Sequence, residues 1–255
     1  GGPVDAGNHW TRLDRVAAYW SARRGLQAAG WGSVAFGGIS LALSFVPPGD
    51  FVLGIAGLVL VGSGIWNIAA PRPGGALLDS ACAAMVGFYN IASSIGLFTP
   101  NPTWSMDGLW IKLGAMQVVW GVFVLTRFPG QRDAFHEPPS PAEMQQLDEM
   151  VRAIRAARVR ESADMIEFRS LTWPEAWKGH LTGDGAVFVG SSGDVRVAER
   201  ARVSIESDRR KPPGRGVRAT LTVGDRRMPV SLSPESLQRI ERWKSGLTIT
   251  RNWAA

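Results

Sequence analysis

The sequence predicts an α-helical membrane bundle of four transmembrane helices in two hairpins, followed by a cytoplasmic α+β domain that is β-rich with a C-terminal helix. Three observations carry this expectation. Residues 25–128 hold only six charged side chains, Asp50, Arg72, Asp79, Asp107, Lys112 and Arg127. Four apolar runs lie in the same stretch, at 26–46, 51–70, 77–98 and 109–128, each close to the ~20 residues a helix needs to cross a hydrocarbon core. Residues 129–255 are densely charged and carry short alternating or β-rich runs between turn residues, the signature of strands.

The 255 residues therefore divide into four parts. Residues 1–24 read as a tag remnant and an interfacial amphipathic helix, since "GGPVDAGNHW" lacks an initiator Met. Residues 25–128 are the membrane domain, 129–163 a Pro-rich link with a connecting helix, and 164–255 the β-rich domain. No cleavable signal peptide is expected, because "RRGLQAAGWGSVAFGGISLAL" runs too long and lacks a small-residue cleavage site. Cys82 is the only cysteine, which excludes a disulfide within the chain and a Cys-x-x-Cys metal site.

In "NHWTRLDRVAAYWSARRG", Trp10, Leu13, Ala17 and Trp20 recur at helical spacing with arginines mostly on the other side. Such a helix suits the plane of a membrane surface. The alternative is a short helix packed on the soluble domain.

Prolines in "VPPGD" and "TPNPTWSMDG" stop the helices between the first and second spans and between the third and fourth. Arg12, Arg15, Arg23 and Arg24 precede the first span, Arg72 lies between the second and third, and Arg127 and Arg132 follow the fourth. The two other loops carry Asp50 and Asp107 and no Lys or Arg. Positive charge stays on the cytoplasmic side, so both termini are expected there. Bacterial inner membrane is the expected location.

Small residues return every seventh position: Gly30 and Gly37, Gly57 and Gly64, Ser80, Gly87 and Ser94, and Gly114 and Gly121. A seven-residue stripe faces one neighbour, and small side chains let helix backbones approach. The two hairpins also read as copies, each with a small/apolar helix, a proline reversal and a Gly/Trp-bearing return. With both copies starting and ending on one side, the repeat is parallel rather than inverted. On Pro47, Pro48, Gly64, Ile65 and Trp66, this region resembles the hairpin repeats of small bacterial membrane proteins of the HdeD type. That resemblance implies membership of a membrane family and no particular functional residues.

Asn90 and Gln117 each stand about 13 residues from a reversal near Thr103–Trp104, so an antiparallel hairpin sets them at one depth, where each amide satisfies the other. With Asn67, they form the expected intramembrane polar joint; the alternative is a polar path for a solute. The same reckoning sets Asp79 level with Arg127, with Arg72 nearby, as an interfacial ion pair. No span carries an ionisable group near its centre, which disfavours a proton relay.

In the soluble half, Ser140 with Glu143 has capping-box spacing, and Met144, Leu147, Val151 and Ile154 form one stripe. The stripe suits a helix packed on the following sheet or a short coiled coil between subunits. From Met165 come "MIEFRSL", "AWKGHLTG", "GAVFVG", "DVRVAERARVSIES", "VRATLTVG" and "RMPVSLS", then the amphipathic helix "SPESLQRIERWKSG" with Leu237, Ile240 and Trp243 on one face. This order of elements, "WKGHLTGDGAVFV" and the terminal helix with Trp243 resemble pleckstrin-homology-like domains; the other fold expected of such a pattern is an unrelated small β-barrel or sandwich with a helix.

From Arg127 onward the chain has 22 Lys/Arg against 17 Asp/Glu, most of the net +6. Ten of the basic residues fall within 196–227: Arg196, Arg200, Arg202, Arg209, Arg210, Lys211, Arg215, Arg218, Arg226 and Arg227. They are the expected contact for anionic lipid or a partner; the competing reading is a solvated loop. No nucleic-acid motif is found, and no nucleic acid is expected.

His9, His136 and His180 are far apart, "VGSSG" lacks nucleophile-elbow spacing, and no phosphate-binding glycine loop follows a strand into a helix. The chain is expected to be no enzyme and to need no cofactor. The role expected is a membrane-anchored scaffold or assembly protein, in a homo-oligomer or larger membrane complex. The competing expectation is a small oligomeric channel or transporter with a regulatory cytoplasmic domain.

Overall fold

A computed structural model describes residues 4–46, 51–97, 108–159, 162–172, 175–207 and 216–246, with side chains from His9 onward in the first helix and from Ile111 in the fourth. The chain forms two compact units, residues 1–21 with 138–255, and residues 22–137.

The second unit is helical. It holds the later part of α1 (Val4–Ser44), then α2 (Phe51–Ala69), α3 (Pro73–Ser94) and α4 (Leu109–Ala134). Each of the four helices is long and apolar enough to cross a membrane. Large apolar side chains such as Trp31, Phe51, Met85 and Val119 face outward, whereas Ser40, Asn67, Asn90 and Gln117 are buried. This inverts the usual globular pattern and is what a lipid solvent favours. The proline reversals at 47–50 and 98–107 lie outside the described residues.

The glycine stripe welds each hairpin. A methyl group built on Gly30 would stand 2.7 Å from the Gly64 carbonyl oxygen, and one on Gly37 2.7 Å from that of Gly57. In the second hairpin, Gly87 and Gly114 each meet the other's carbonyl at 2.6 Å, and Gly121 meets that of Ser80 at 2.8 Å. The Ser80 hydroxyl in turn donates to the Gly121 carbonyl at 2.7 Å. Each hairpin thus has two backbone-to-backbone contacts seven residues apart, which leave no space for a Cβ on their glycines.

The first unit is a seven-stranded antiparallel sheet with helices. Its strands are β1 (Met165–Ser170), β2 (Ala176–Leu181), β3 (Gly185–Gly190), β4 (Val195–Glu199), β5 (Val203–Ser207), β6 (Val217–Val223) and β7 (Arg226–Leu232). Helix α5 (Pro141–Ala156) precedes them and α6 (Pro234–Ser245) follows. The run 194–207 is two strands, split by a 3₁₀ turn at Arg200–Arg202, whose Arg200 N–H donates to the Asp184 carbonyl at 2.8 Å.

Strand order is β4-β3-β2-β1-β7-β6-β5. Consecutive β4 and β5 therefore sit at opposite edges, yet three residues join them. Such a link spans roughly 10–14 Å at most, so the sheet must curl round on itself. Its inside is one core drawn from all seven strands, including Phe168, Trp177, Phe188, Ala198, Val203, Leu221 and Val230. Helix α6 closes it with Ile240 and Trp243, the Trp243 indole donating to the Thr182 carbonyl. Gly224 in the β6–β7 turn has φ +60°, the left-handed conformation that tight hairpins require.

The outer face of β3 and β4 is covered as well. Leu147, Val151 and Ile154 of α5 pack there against Val187, Val189, Val195 and Val197, so β3 is buried on both faces. The Ser140–Glu143 capping box starts α5.

Candidate functional site

The N-terminal part of α1 lies on that same covered face. Trp10 and Leu13 are buried with Val16 and Ala17 in the α5–sheet core, and Trp20 packs against it. The Trp10 ring fills the space where Gly185 has no side chain, since a Cβ there would approach the indole to 2.4 Å. The expectation of an interfacial helix on the leaflet is corrected for Trp10, Leu13 and Trp20. The apolar stripe has a protein partner, the valine face of β3 and β4. Helix α1 also continues without a break to Ser44.

In the helical unit, the Asn90 amide donates to Gln117 Oε1 at 2.8 Å. The Gln117 amide donates to the Ser40 hydroxyl at 3.3 Å, and the Ser94 hydroxyl donates to the Asn90 carbonyl at 2.6 Å. Three helices, α1, α3 and α4, are tied by this buried chain. Ser40 was not singled out from the sequence, because serine is common in small-residue stripes.

Asn67 takes no part in that chain. It is buried on α2 and its amide donates to Asp79 of α3. The helix register explains the exchange of partners. Asn67 and Asp79 stand six residues either side of Pro73, where α3 begins, as Asn90 and Gln117 stand either side of their own reversal. The depth rule that joins one pair, applied to the α2–α3 turn, joins the other.

The expected Asp79–Arg127 ion pair is likewise corrected. Asp79 is only 1% exposed and forms no ion pair among the described residues. Arg127 is exposed on α4, its guanidinium 4.3 Å from the centre of the Phe123 ring. Arg72 is exposed and precedes α3 without a side-chain cap bond. Helix α4 runs on through Pro129 to Ala134, which leaves Arg127 on an outer face rather than at a helix end facing Asp79.

The basic stretch separates into three groups. Arg196 is half-buried over the Trp177 ring at 5.2 Å, and burial draws its guanidinium below the usual value. Arg200 donates to the Gly183 and Lys244 carbonyls, each at 3.2 Å, and Arg202 pairs with Asp225 at 3.1 Å. These three are engaged within the fold. Arg218, Arg226 and Arg227 are exposed; Arg218 and Arg227 share the outward face of the β6–β7 ribbon, opposite Ser231 and Thr222. Arg209, Arg210, Lys211 and Arg215 lie outside the described residues.

Among the described residues, no group of three or more His, Cys, Asp or Glu side chains is placed to hold a metal ion. No family model matches the chain, and no curated protein matches it either.

Proposed function

We propose that the chain is a non-catalytic integral membrane scaffold or assembly protein of a bacterial inner membrane. Both termini are cytoplasmic, and a basic cytoplasmic domain contacts the anionic leaflet, with a protein partner as the other candidate for that face. The observation that carries the reading is the inward satisfaction of the Asn90–Gln117–Ser40 chain. These amides bond to one another across three helices, and the glycine contacts close each hairpin at the backbone. A bundle built this way anchors what is attached to it.

The strand order, a four-strand and a three-strand meander curled round one core and closed by α6, supports a pleckstrin-homology-like reading of the soluble domain. The doubled glycine contacts support the hairpin-repeat, HdeD-type reading of the membrane domain. Fold alone assigns no ligand. The leaflet contact rests on Arg218, Arg226 and Arg227, each worth about 1 kcal/mol near an anionic surface.

The test uses the full chain in nanodiscs, with an environment-sensitive fluorophore at Thr220→Cys in a Cys82→Ala background. Thr220 faces outward between Arg218 and Arg227 on the same ribbon. Emission should shift to the blue in phosphatidylglycerol-rich discs relative to zwitterionic ones. The shift should reverse at high salt and vanish in an Arg218→Ser/Arg226→Ser/Arg227→Ser variant. Identical emission in both lipids would leave that face to a protein partner.

A further inference from the structure

The β-rich unit leaves one face of its sheet open. Helices α1 and α5 pack on the outer side of β3 and β4, whereas Arg169 of β1 and the outward residues of β7, β6 and β5 are exposed or half-buried. Directly opposite residues of neighbouring strands point to the same side, and the register sets three of them in a row. Arg169 stands opposite Ser231 of β7, and Ser231 stands opposite Arg218 of β6. The next row holds Leu171, whose N–H donates to the Pro229 carbonyl at 2.8 Å, then Pro229 itself and Thr220. The third sets Arg227 opposite Thr222. Leu171 is 47% exposed, and Pro229 is exposed beside it. Among the described residues, the side chains of Arg169, Arg218, Arg227 and Ser231 make no hydrogen bond or ion pair. Gly216 leaves the Ser231 hydroxyl uncovered, since a Cβ there would stand 2.6 Å from it. Among the described residues of these strands, two acids face the same side: Glu167, opposite Lys178, and Glu206, opposite Thr220.

We infer that this face is a lipid-headgroup site, in which Arg169 and Arg218 grip one phosphate across Ser231 while Leu171 and Pro229 enter the interface. The inference rests on the leaflet reading and narrows it to one face and one chemical group. Two strand spacings put the Arg169 and Arg218 backbones about 10 Å apart, so their side chains can meet above Ser231. A guanidinium presents a planar fork that binds two phosphate oxygens at once, and the serine hydroxyl has a donor for another. An apolar centre ringed by arginines suits the boundary between headgroups and acyl chains. A second copy docking through the same face would bring like charges together, which is costly. The four helices long enough to cross a membrane also keep a lipid surface at high effective concentration for a domain on the same chain.

The probe is the full chain in phosphatidylglycerol-rich nanodiscs, with the fluorophore at Thr220→Cys in the Cys82→Ala background reporting docking. Its emission, followed as salt is added, gives the ratio of docked to undocked domain. Arg169→Gln should lower that ratio about fivefold, the effect of one basic residue near an anionic surface. Arg242→Gln removes the same charge from an exposed position on α6 and should leave the ratio within about twofold, because salt screens it from this face. Arg169→Lys should fall between wild type and Arg169→Gln, since an ammonium keeps the charge and loses the fork. Leu171→Ser, which leaves the charge unchanged, should lower the ratio several-fold through lost apolar burial. A blue shift that Arg169→Gln and Arg242→Gln diminish equally, or that Arg169→Lys retains in full, would overturn the phosphate grip and leave the leaflet reading standing. The absence of any shift in the wild-type background would overturn both.

Discussion

Asn90 on α3 and Gln117 on α4 share a buried hydrogen bond of 2.8 Å, and Gln117 passes its remaining donor to Ser40 on α1. An amide in hydrocarbon is costly unless paired, so losing one partner strands the other. Asn90→Leu and Gln117→Leu should each destabilise the helical unit, and the double variant should cost less than their sum. Intramembrane pairs measured this way couple by about 0.6–1.7 kcal/mol. A double-mutant cycle on thermal or denaturant unfolding in detergent reads the coupling directly; additive losses would mean that the amides act separately.

The glycine contacts make a sharper steric prediction. A Cβ on Gly87 would sit 2.6 Å from the Gly114 carbonyl oxygen and 2.9 Å from the Val118 nitrogen, so α3 and α4 must part to admit it. Gly87→Ala should cost about 1–3 kcal/mol, the range for overpacking, despite the roughly 1 kcal/mol that alanine gains in helix propensity. Gly62→Ala is the control, because no atom lies within 4 Å of a Cβ there. Melting of the two variants side by side separates packing from propensity.

Trp10 sits in a protein core rather than at a lipid surface. Trp10→Ala should destabilise the β-rich unit by about 3–5 kcal/mol, as for other large aromatic deletions in cores. With Trp10 as a single retained indole, brominated lipids should leave its emission unquenched. Strong quenching would return the helix to the leaflet.

Glu143 gives that unit an acid-sensitive contact. The Ser140 hydroxyl and backbone N–H, followed by Arg12, hold its carboxyl down to about 2, below the ordinary value near 4.5. A carboxyl lowered on folding contributes stability in full above its unfolded value and loses it as pH falls toward the folded one. Melting of the β-rich unit should therefore decline between about pH 4.5 and pH 2, and Glu143→Gln should flatten that decline. The effect is small because Arg12 is well exposed, its side chain 67% accessible.

Much of this was legible in the sequence where one local rule acts alone. The four long apolar helices follow from hydropathy, the Ser140 cap from its spacing, and the Asn90–Gln117 contact from equal depth in a hairpin. Legibility failed where two segments compete for a partner. The Trp10–Trp20 stripe fits a membrane surface and a protein groove equally well, and only the valine face of β3 and β4, far along the chain, decides it. Equal depth in the α3–α4 hairpin sets Asp79 against Arg127, but the α2–α3 register puts an amide beside it first. The sequence leaves six or seven strands open over 165–232, and the break at Arg200–Arg202 depends on where the sheet curls.

The central claim is that the buried amides join helices and line no path, and flux tests it most directly. Purified full chain is reconstituted in liposomes and assayed for passage of ions and small solutes, wild type beside Asn90→Leu/Gln117→Leu. The account predicts flux equal to empty vesicles for both, with the variant only less stable to heat. Flux above empty vesicles that changes in the variant would contradict it and make Asn90 and Gln117 the lining of a pore.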